Sequence, residues 1–372
     1  MYFLLPLLLF SLTSAASLPS PDGPYNVGFS QHIVPHITPN DPTPGPGNAL
    51  LVHVYFPTYD TNRSSPVPYI DTKSATIWGD ALELPRGLLD KLTTDLRRDA
   101  SFLSAPTGHP TVLFSPAAGF NAWMYYGLLA NLASHGYTVV AIDHPGEPPV
   151  VRWPNGTDTI GLSIDVDFTA NLTRQVHEFR VTDLAAVLAW FPTFVHNHQA
   201  PFNTSKFLAL GHSMGGSASV TFAPGHPSVE AALNLDGGFS QHQTVVTDVG
   251  VPVLLMSRIN HTTRSDPSWA EFQEHQTGWW EHIAVYGSEH LDYCDIATWN
   301  EALGLAPLVQ EQFGPIGGSK ITQIARKYVG DFFGWVEGRE KGVIASPSLE
   351  WREAVYVNGS DFDHGYSQEQ KD

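Results

Sequence analysis

The chain has one cysteine, Cys294, in 372 residues. No internal disulfide can form, so stability must come from a buried core, which a chain this long can build. The same scarcity excludes the small disulfide-stapled, calcium-dependent phospholipases and any thiolate-rich zinc site. Charged residues make up 15%, against roughly 25% in an average soluble domain. Basic residues are the rarer kind: 19 Lys and Arg face 37 Asp and Glu, a formal charge of −18. No Lys/Arg cluster reverses that sign locally, which argues against nucleic acids and anionic membrane surfaces as partners. Also missing is any apolar run of the roughly 20 residues needed to span a bilayer.

The shorter run Phe3–Phe10 reads instead as the apolar core of a signal peptide over residues 1–16. Ser14-Ala15-Ala16 supplies the small residues that a signal peptidase requires, although only the α-amino group carries the positive charge expected ahead of the run. Six N-x-S/T sequons, at Asn62, Asn155, Asn171, Asn203, Asn260 and Asn358, fit the same secretory route. As glycan acceptors these asparagines are expected on exposed loops. A secreted protein is therefore expected.

What the chain has in quantity is turn formers and apolar residues: 32 Gly, 29 Pro and 42% hydrophobic side chains. Residues 17–48 read as an irregular arm with one short strand near His32–His36, and Leu50–Phe56 as a strand. Residues 58–80 look like an exposed loop, and Leu84–Arg98 has helical spacing. From residue 110 the rhythm changes. Thr111–Phe114, Thr138–Ile142, Lys206–Leu210, Ala231–Leu235, Val251–Met256 and His282–Tyr286 are short apolar runs bounded by turn residues. Asn121–Ala133, Leu172–Trp190 and Lys320–Val336 between and after them read as helices. That alternation predicts an α/β fold with a mostly parallel, doubly wound sheet, as one domain over residues 17–345. Residues 346–372 turn polar and are expected to form a mobile tail.

Gly211-His212-Ser213-Met214-Gly215 falls between a predicted strand and a helix-compatible run. A G-x-S-x-G sequence is weak evidence alone, but a strand–turn–helix context makes it a nucleophile elbow, which lifts the serine hydroxyl above the sheet. Ser213 is the expected nucleophile of an α/β-hydrolase fold. A serine hydroxyl is a weak nucleophile near neutrality, so it needs a base and a group that orients the base. His290 lies in the loop leaving the last predicted strand and is the expected base. The acid has two candidates: Asp236, directly after Ala231–Leu235, and Asp266, ten residues past the following strand; position at the strand tip favours Asp236. The oxyanion hole needs two N–H donors. Met214 supplies one, and Ala117, Ala118 or Gly119 in the loop Ser115–Phe120 the other.

The chain resembles the platelet-activating-factor acetylhydrolases, calcium-independent phospholipases A2 that act on short sn-2 acyl chains. The likeness runs through Gly23-Pro24-Tyr25-Asn26-Val27-Gly28, Leu132-Ala133-Ser134-His135-Gly136-Tyr137, Gly211–Gly216, Asp236 and Tyr286-Gly287-Ser288-Glu289-His290. It implies Asp236 as the acid and Ala118 as the second oxyanion donor, with Pro116 and Ala117 replacing the family's usual His and Gly. It further implies a phospholipid or other ester substrate, at most peripheral contact with lipid surfaces, and Trp279 and Trp280 as part of a binding rim or of the core. No cofactor or metal is expected, since His196/His198, Glu281-His282 and Glu289-His290 form no complete ligand set. Two other readings remain: a broad short-chain esterase or polyester hydrolase, and a non-catalytic binding protein on a hydrolase scaffold.

Overall fold

In a computed structural model of the chain, residues 15–45, 48–61, 67–240, 242–305 and 313–360 are described. Ten strands form the main sheet: β1 (Asn26–Pro35), β2 (Ala49–Thr58), β3 (Arg97–Arg98), β4 (Thr111–Ser115), β5 (Thr138–Asp143), β6 (Phe207–His212), β7 (Val229–Leu235), β8 (Val253–Arg258), β9 (Trp280–Val285) and β10 (Ala354–Gly359). Their order across the sheet is β10-β9-β8-β7-β6-β4-β5-β2-β1-β3. The stretch β5-β4-β6-β7-β8-β9 is parallel throughout. Both faces of these strands are covered, which explains why they read as unbroken apolar runs. This is the α/β-hydrolase fold.

One face packs Val112, Phe114, Leu208, Leu210 and Leu233 against α2 (Tyr126–Ser134) and α6 (Gly318–Val336). The other packs Leu113, Val140, Ala209 and Leu255 against α3 (Ala170–His198) and α4 (Met214–Phe222). Alternate residues of β4 and β6 thus enter opposite cores, as a pleated strand requires.

Four expectations are corrected. Leu84–Arg98 is not a helix: Glu83 and Gly87 have positive φ, and after Pro85 the segment holds only one 3₁₀ turn, Leu89–Lys91, before its strands. Its helical spacing comes from Leu88, Leu89, Leu92 and Leu96, which a meandering segment buries one at a time. Residues 58–80 are not all loop, because Asp71 caps α1 (Thr72–Ala81), accepting the Lys73 and Ser74 N–H groups, and Trp78 anchors it in the core. The strand near His32–His36 extends from Asn26, paired along its length with β2. In the tail, Ala354–Gly359 is an edge strand antiparallel to β9; residues 361–372, most of the signal segment (residues 1–14) and Asn62 lie outside the described residues.

Trp280 begins β9 and is buried, and Trp279 packs on Phe332 and Trp335 of α6. Both sit at the N-terminal end of β9, a strand length of ~20 Å from the loop that carries His290. They are core, not a rim around the site. Asn155 and Asn260 are exposed in turns, and Asn203 is half-buried; Asn171 is exposed in the first turn of α3 and Asn358 on β10. The last two sequons thus lie on regular elements, not on loops.

Candidate active site

The elbow follows β6. Ser213 has φ 54° and ψ −126°, a strained conformation for a residue with a side chain. Two glycines make it possible. A Cβ on Gly211 would lie 2.2 Å from the Gly215 carbonyl carbon, and one on Gly215 would lie 2.1 Å from the Ser115 carbonyl oxygen. Such contacts are forbidden, so the two backbones can meet only without side chains.

The next strand, β7, ends at Asp236, which also has positive φ (55°). Asn234 holds this turn: its amide accepts the Gly237 N–H at 2.8 Å and donates to the Gly237 carbonyl at 2.7 Å. The loop after β9 brings His290 over both. His290 Nε2 is 2.9 Å from Ser213 Oγ, and His290 Nδ1 is 2.6 Å from Asp236 Oδ2. Ser213, His290 and Asp236 thus meet at the carboxyl ends of β6, β9 and β7, in the geometry a nucleophile, its base and an orienting acid require. Asp266, the alternative acid, does not reach His290; it caps α5 (Pro267–His275) and bonds His261.

Four donors hold the Asp236 carboxylate. His261 Nδ1 at 2.8 Å and the Arg258 N–H at 3.0 Å serve Oδ1, while Arg258 Nη1 at 2.9 Å shares Oδ2 with His290. Burial opposes its charge, but the hydrogen bonds from His261 and His290 outweigh it and hold the carboxyl well below the ordinary aspartate range. Asp236 therefore stays ionised.

The oxyanion donors can be sorted by what their N–H groups already do. The Ala117 N–H donates to the Tyr125 hydroxyl at 3.0 Å, and the Gly119 N–H to Glu147 Oε2 at 3.3 Å. Among the described residues the Ala118 N–H has no such partner. Met214, first residue of α4, has an N–H with no intrahelical acceptor. Ala118 and Met214 thus keep the two N–H groups free for a developing oxyanion. The oxyanion loop is gripped from behind. Arg180 of α3, fully buried, donates to the Pro116 carbonyl and to the Ala117 carbonyl at 3.1 Å. It also forms a two-pronged pair with Glu147, Nε–Oε1 2.7 Å and Nη2–Oε2 2.6 Å. The segment 145–169 is fixed at its start by this pair and by the Asn121 side chain, which donates to the Val150 carbonyl at 3.0 Å.

A second hydrogen-bond chain joins the two loops. The Tyr125 hydroxyl lies 2.8 Å from His212 Nδ1, and His212 Nε2 lies 3.0 Å from the His290 carbonyl. A carbonyl only accepts, so Nε2 carries the proton and Nδ1 accepts from Tyr125. Burial, with the nearby His290, pushes His212 well below the usual histidine range and keeps it neutral.

Sequence reasoning did not find Arg180, Glu147, Tyr125, His212 or His261. Arg180 left a signal: it falls in line with Val176, Phe179, Leu184 and Val187 on the apolar stripe of α3. A charge in such a stripe must be paired.

An α/β-hydrolase sheet with this Ser–His–Asp constellation above its carboxyl ends defines a serine hydrolase. Residues 110–266 match the family model of the alpha/beta hydrolase fold. A probable 1-alkyl-2-acetylglycerophosphocholine esterase of Arthroderma benhamiae is 24% identical, over 94% of this chain and 95% of that one. The resemblance to the platelet-activating-factor acetylhydrolases therefore extends over nearly the whole length. A solved ferulic acid esterase from Streptomyces cinnamoneus superimposes with a TM-score of 0.79 at 24% identity, covering 93% of this chain and all of that one. It shares the fold.

Proposed function

We propose that the chain is a secreted carboxylic-ester hydrolase that releases short sn-2 acyl groups from phospholipids of the platelet-activating-factor type. The observation that carries the hydrolase reading is the 2.9 Å and 2.6 Å pair of contacts linking Ser213, His290 and Asp236. Ser213 Oγ attacks the ester carbonyl as His290 Nε2 takes its proton. The oxyanion falls to the Ala118 and Met214 N–H groups. His290 then protonates the leaving alcohol, and water, activated by the same imidazole, frees the acyl group.

The phospholipid reading rests on the likeness to the Arthroderma esterase and on the setting of the oxyanion pair. Met214 clusters with Val176 and Phe179, and Ala118, Phe168 and Leu172 pack on that cluster. This apolar wall beside the oxyanion donors suits hydrocarbon. A protein of charge −18 accepts a zwitterionic headgroup at less electrostatic cost than an anionic one. Secretion rests on the signal-like residues 1–16 and the sequons.

The test is a matched pair of 2-acetyl and 2-palmitoyl phosphatidylcholines, with and without chelator, against a Ser213→Ala blank. Chelator-insensitive turnover of the acetyl lipid alone is expected. Turnover of simple short-chain esters with neither lipid touched would replace the phospholipid by a broader ester substrate. No turnover of any ester by the folded protein would leave only a binding protein on a hydrolase scaffold.

A further inference from the structure

Behind the triad acid stands a second imidazole with a second carboxylate behind it. His261 Nδ1 lies 2.8 Å from Asp236 Oδ1, and His261 Nε2 lies 3.0 Å from Asp266 Oδ2. Ser213, His290, Asp236, His261 and Asp266 therefore form one continuous chain of five side chains. Asp236 is almost fully buried and His261 nearly so.

A neutral imidazole has one N–H and one acceptor nitrogen. Set between two carboxylates, which only accept, a neutral His261 would face one of them lone pair to lone pair. Both contacts are hydrogen bonds only if His261 is the imidazolium. Burial works against that charge, but the hydrogen bonds and charges of Asp236 and Asp266 prevail and raise the group to about 9. Trp269 of α5 covers the ring, with centroids 4.2 Å apart, a contact that favours a cation over an aromatic face.

The other groups facing His261 do not undo this. Arg258, at the end of β8, is committed to Asp236 through its N–H and Nη1, with Glu289 3.8 Å from its Nε. His282 on β9 approaches through Ser257, whose hydroxyl lies 2.9 Å from His282 Nε2 and 3.3 Å from the His261 carbonyl oxygen. Burial and the His261 charge lower His282 to about 3, so it stays neutral. His290 lies on the far side of Asp236.

We propose that His261 is a positioning residue of the triad: as an imidazolium clamped between Asp236 and Asp266, it keeps Asp236 Oδ2 on His290 and does so until His261 itself loses its proton. The inference rests on the ester-hydrolase reading of the same site. It has one direct consequence. With Oδ1 taken by His261 and the Arg258 N–H, the carboxylate cannot rotate away when Ser213 is acylated.

The experiment is the pH profile of kcat/KM for p-nitrophenyl acetate in the full chain, His261→Asn and Asp266→Asn, with Ser213→Ala as blank. Asparagine at 261 keeps an N–H donor toward Asp236 without the charge. The alkaline inflection that deprotonation of His261 gives the parent is expected to disappear in it, with kcat about 10-fold lower. Asp266→Asn retains the cap of α5 and the imidazole but removes one carboxylate. Its alkaline inflection is expected about one pH unit below that of the parent. A purely structural role for His261 would lower activity at every pH and leave the inflections in place, and superimposable profiles would overturn the proposal. If His261→Asn does not fold, the alkaline limb of Asp266→Asn decides in the same way. A parent without activity that Ser213→Ala abolishes would sink the hydrolase reading and this inference with it. A parent with such activity and unmoved profiles would sink this inference alone.

Discussion

The Tyr125 hydroxyl accepts the N–H of Ala117 at 3.0 Å and so removes one of three neighbouring donors from competition for the oxyanion. The same oxygen donates onward to His212, which in turn bonds the His290 carbonyl. One phenol thus couples the oxyanion loop to the loop of the base. Tyr125→Phe leaves the Ala117 N–H and His212 Nδ1 buried without partners, at a cost of ~1–3 kcal/mol in stability. Misplacing the oxyanion loop is expected to lower kcat by ~10–100-fold while KM changes little. Steady-state kinetics beside a denaturant melt would separate the two effects. A KM change with kcat intact would assign Tyr125 to substrate binding.

Asp236 holds His290 in the tautomer that leaves Nε2 free for Ser213. Asp236→Asn turns a carboxylate that accepts from four donors into a group with only one acceptor oxygen. The imidazole is then free to present the wrong nitrogen, and kcat is expected to drop ~10⁴-fold. Loss of only a few-fold would require another group to orient the base.

The apolar wall beside the oxyanion donors is open to a direct test. Phe168 and Leu172 pack on the cluster of Val176, Phe179 and Met214 beside the oxyanion donors. Removing the larger side chain, Phe168→Ala, is expected to lower kcat/KM on acetyl esters by ~10-fold through lost apolar contact. Longer acyl chains are expected to gain relative to acetyl. Parallel losses along a C2–C8 ester series would place the acyl chain elsewhere.

Asp295 illustrates a carboxyl that burial keeps protonated. Its Oδ1 accepts the Gly127 N–H and its Oδ2 the Tyr69 hydroxyl, both at 2.9 Å, yet burial raises it from 3.8 to about 7. The folded chain therefore holds a proton there that the unfolded chain has already released. That contribution to stability is complete below pH ~4 and is lost as pH rises toward 7. Asp295→Asn removes the dependence. Its Tm relative to the parent is expected to rise by about 2 °C or more between pH 4.5 and pH 8. A pH-independent difference would contradict the assignment.

The parallel sheet and the triad were legible for one reason. Buried strands are apolar on both faces, and each triad member sits just past the end of such a strand, at Ser213, Asp236 and His290. What escaped detection lies at long separations or in short irregular pieces. Arg180 meets Glu147 across 33 residues, and His261 meets Asp236 across 25; the sequence offers no periodicity to join them. His261 stands too early in the chain to be the base, and that left its role behind the acid unseen. The segment Leu84–Arg98 mimicked a helix because four buried leucines fell at helical spacing, while the positive φ of Glu83 and Gly87 emerges only with tertiary packing. Rim and core stayed equally open for Trp279 and Trp280, because sequence does not say which end of a strand meets the site.

The central claim is that Ser213 is the activated nucleophile. Treating the folded protein with a fluorophosphonate probe and mapping the adduct by peptide mass spectrometry tests it most directly. One adduct per chain on Ser213 is expected, absent in Ser213→Ala and formed far more slowly in His290→Ala. No adduct, or one on a serine outside the elbow, would contradict the account.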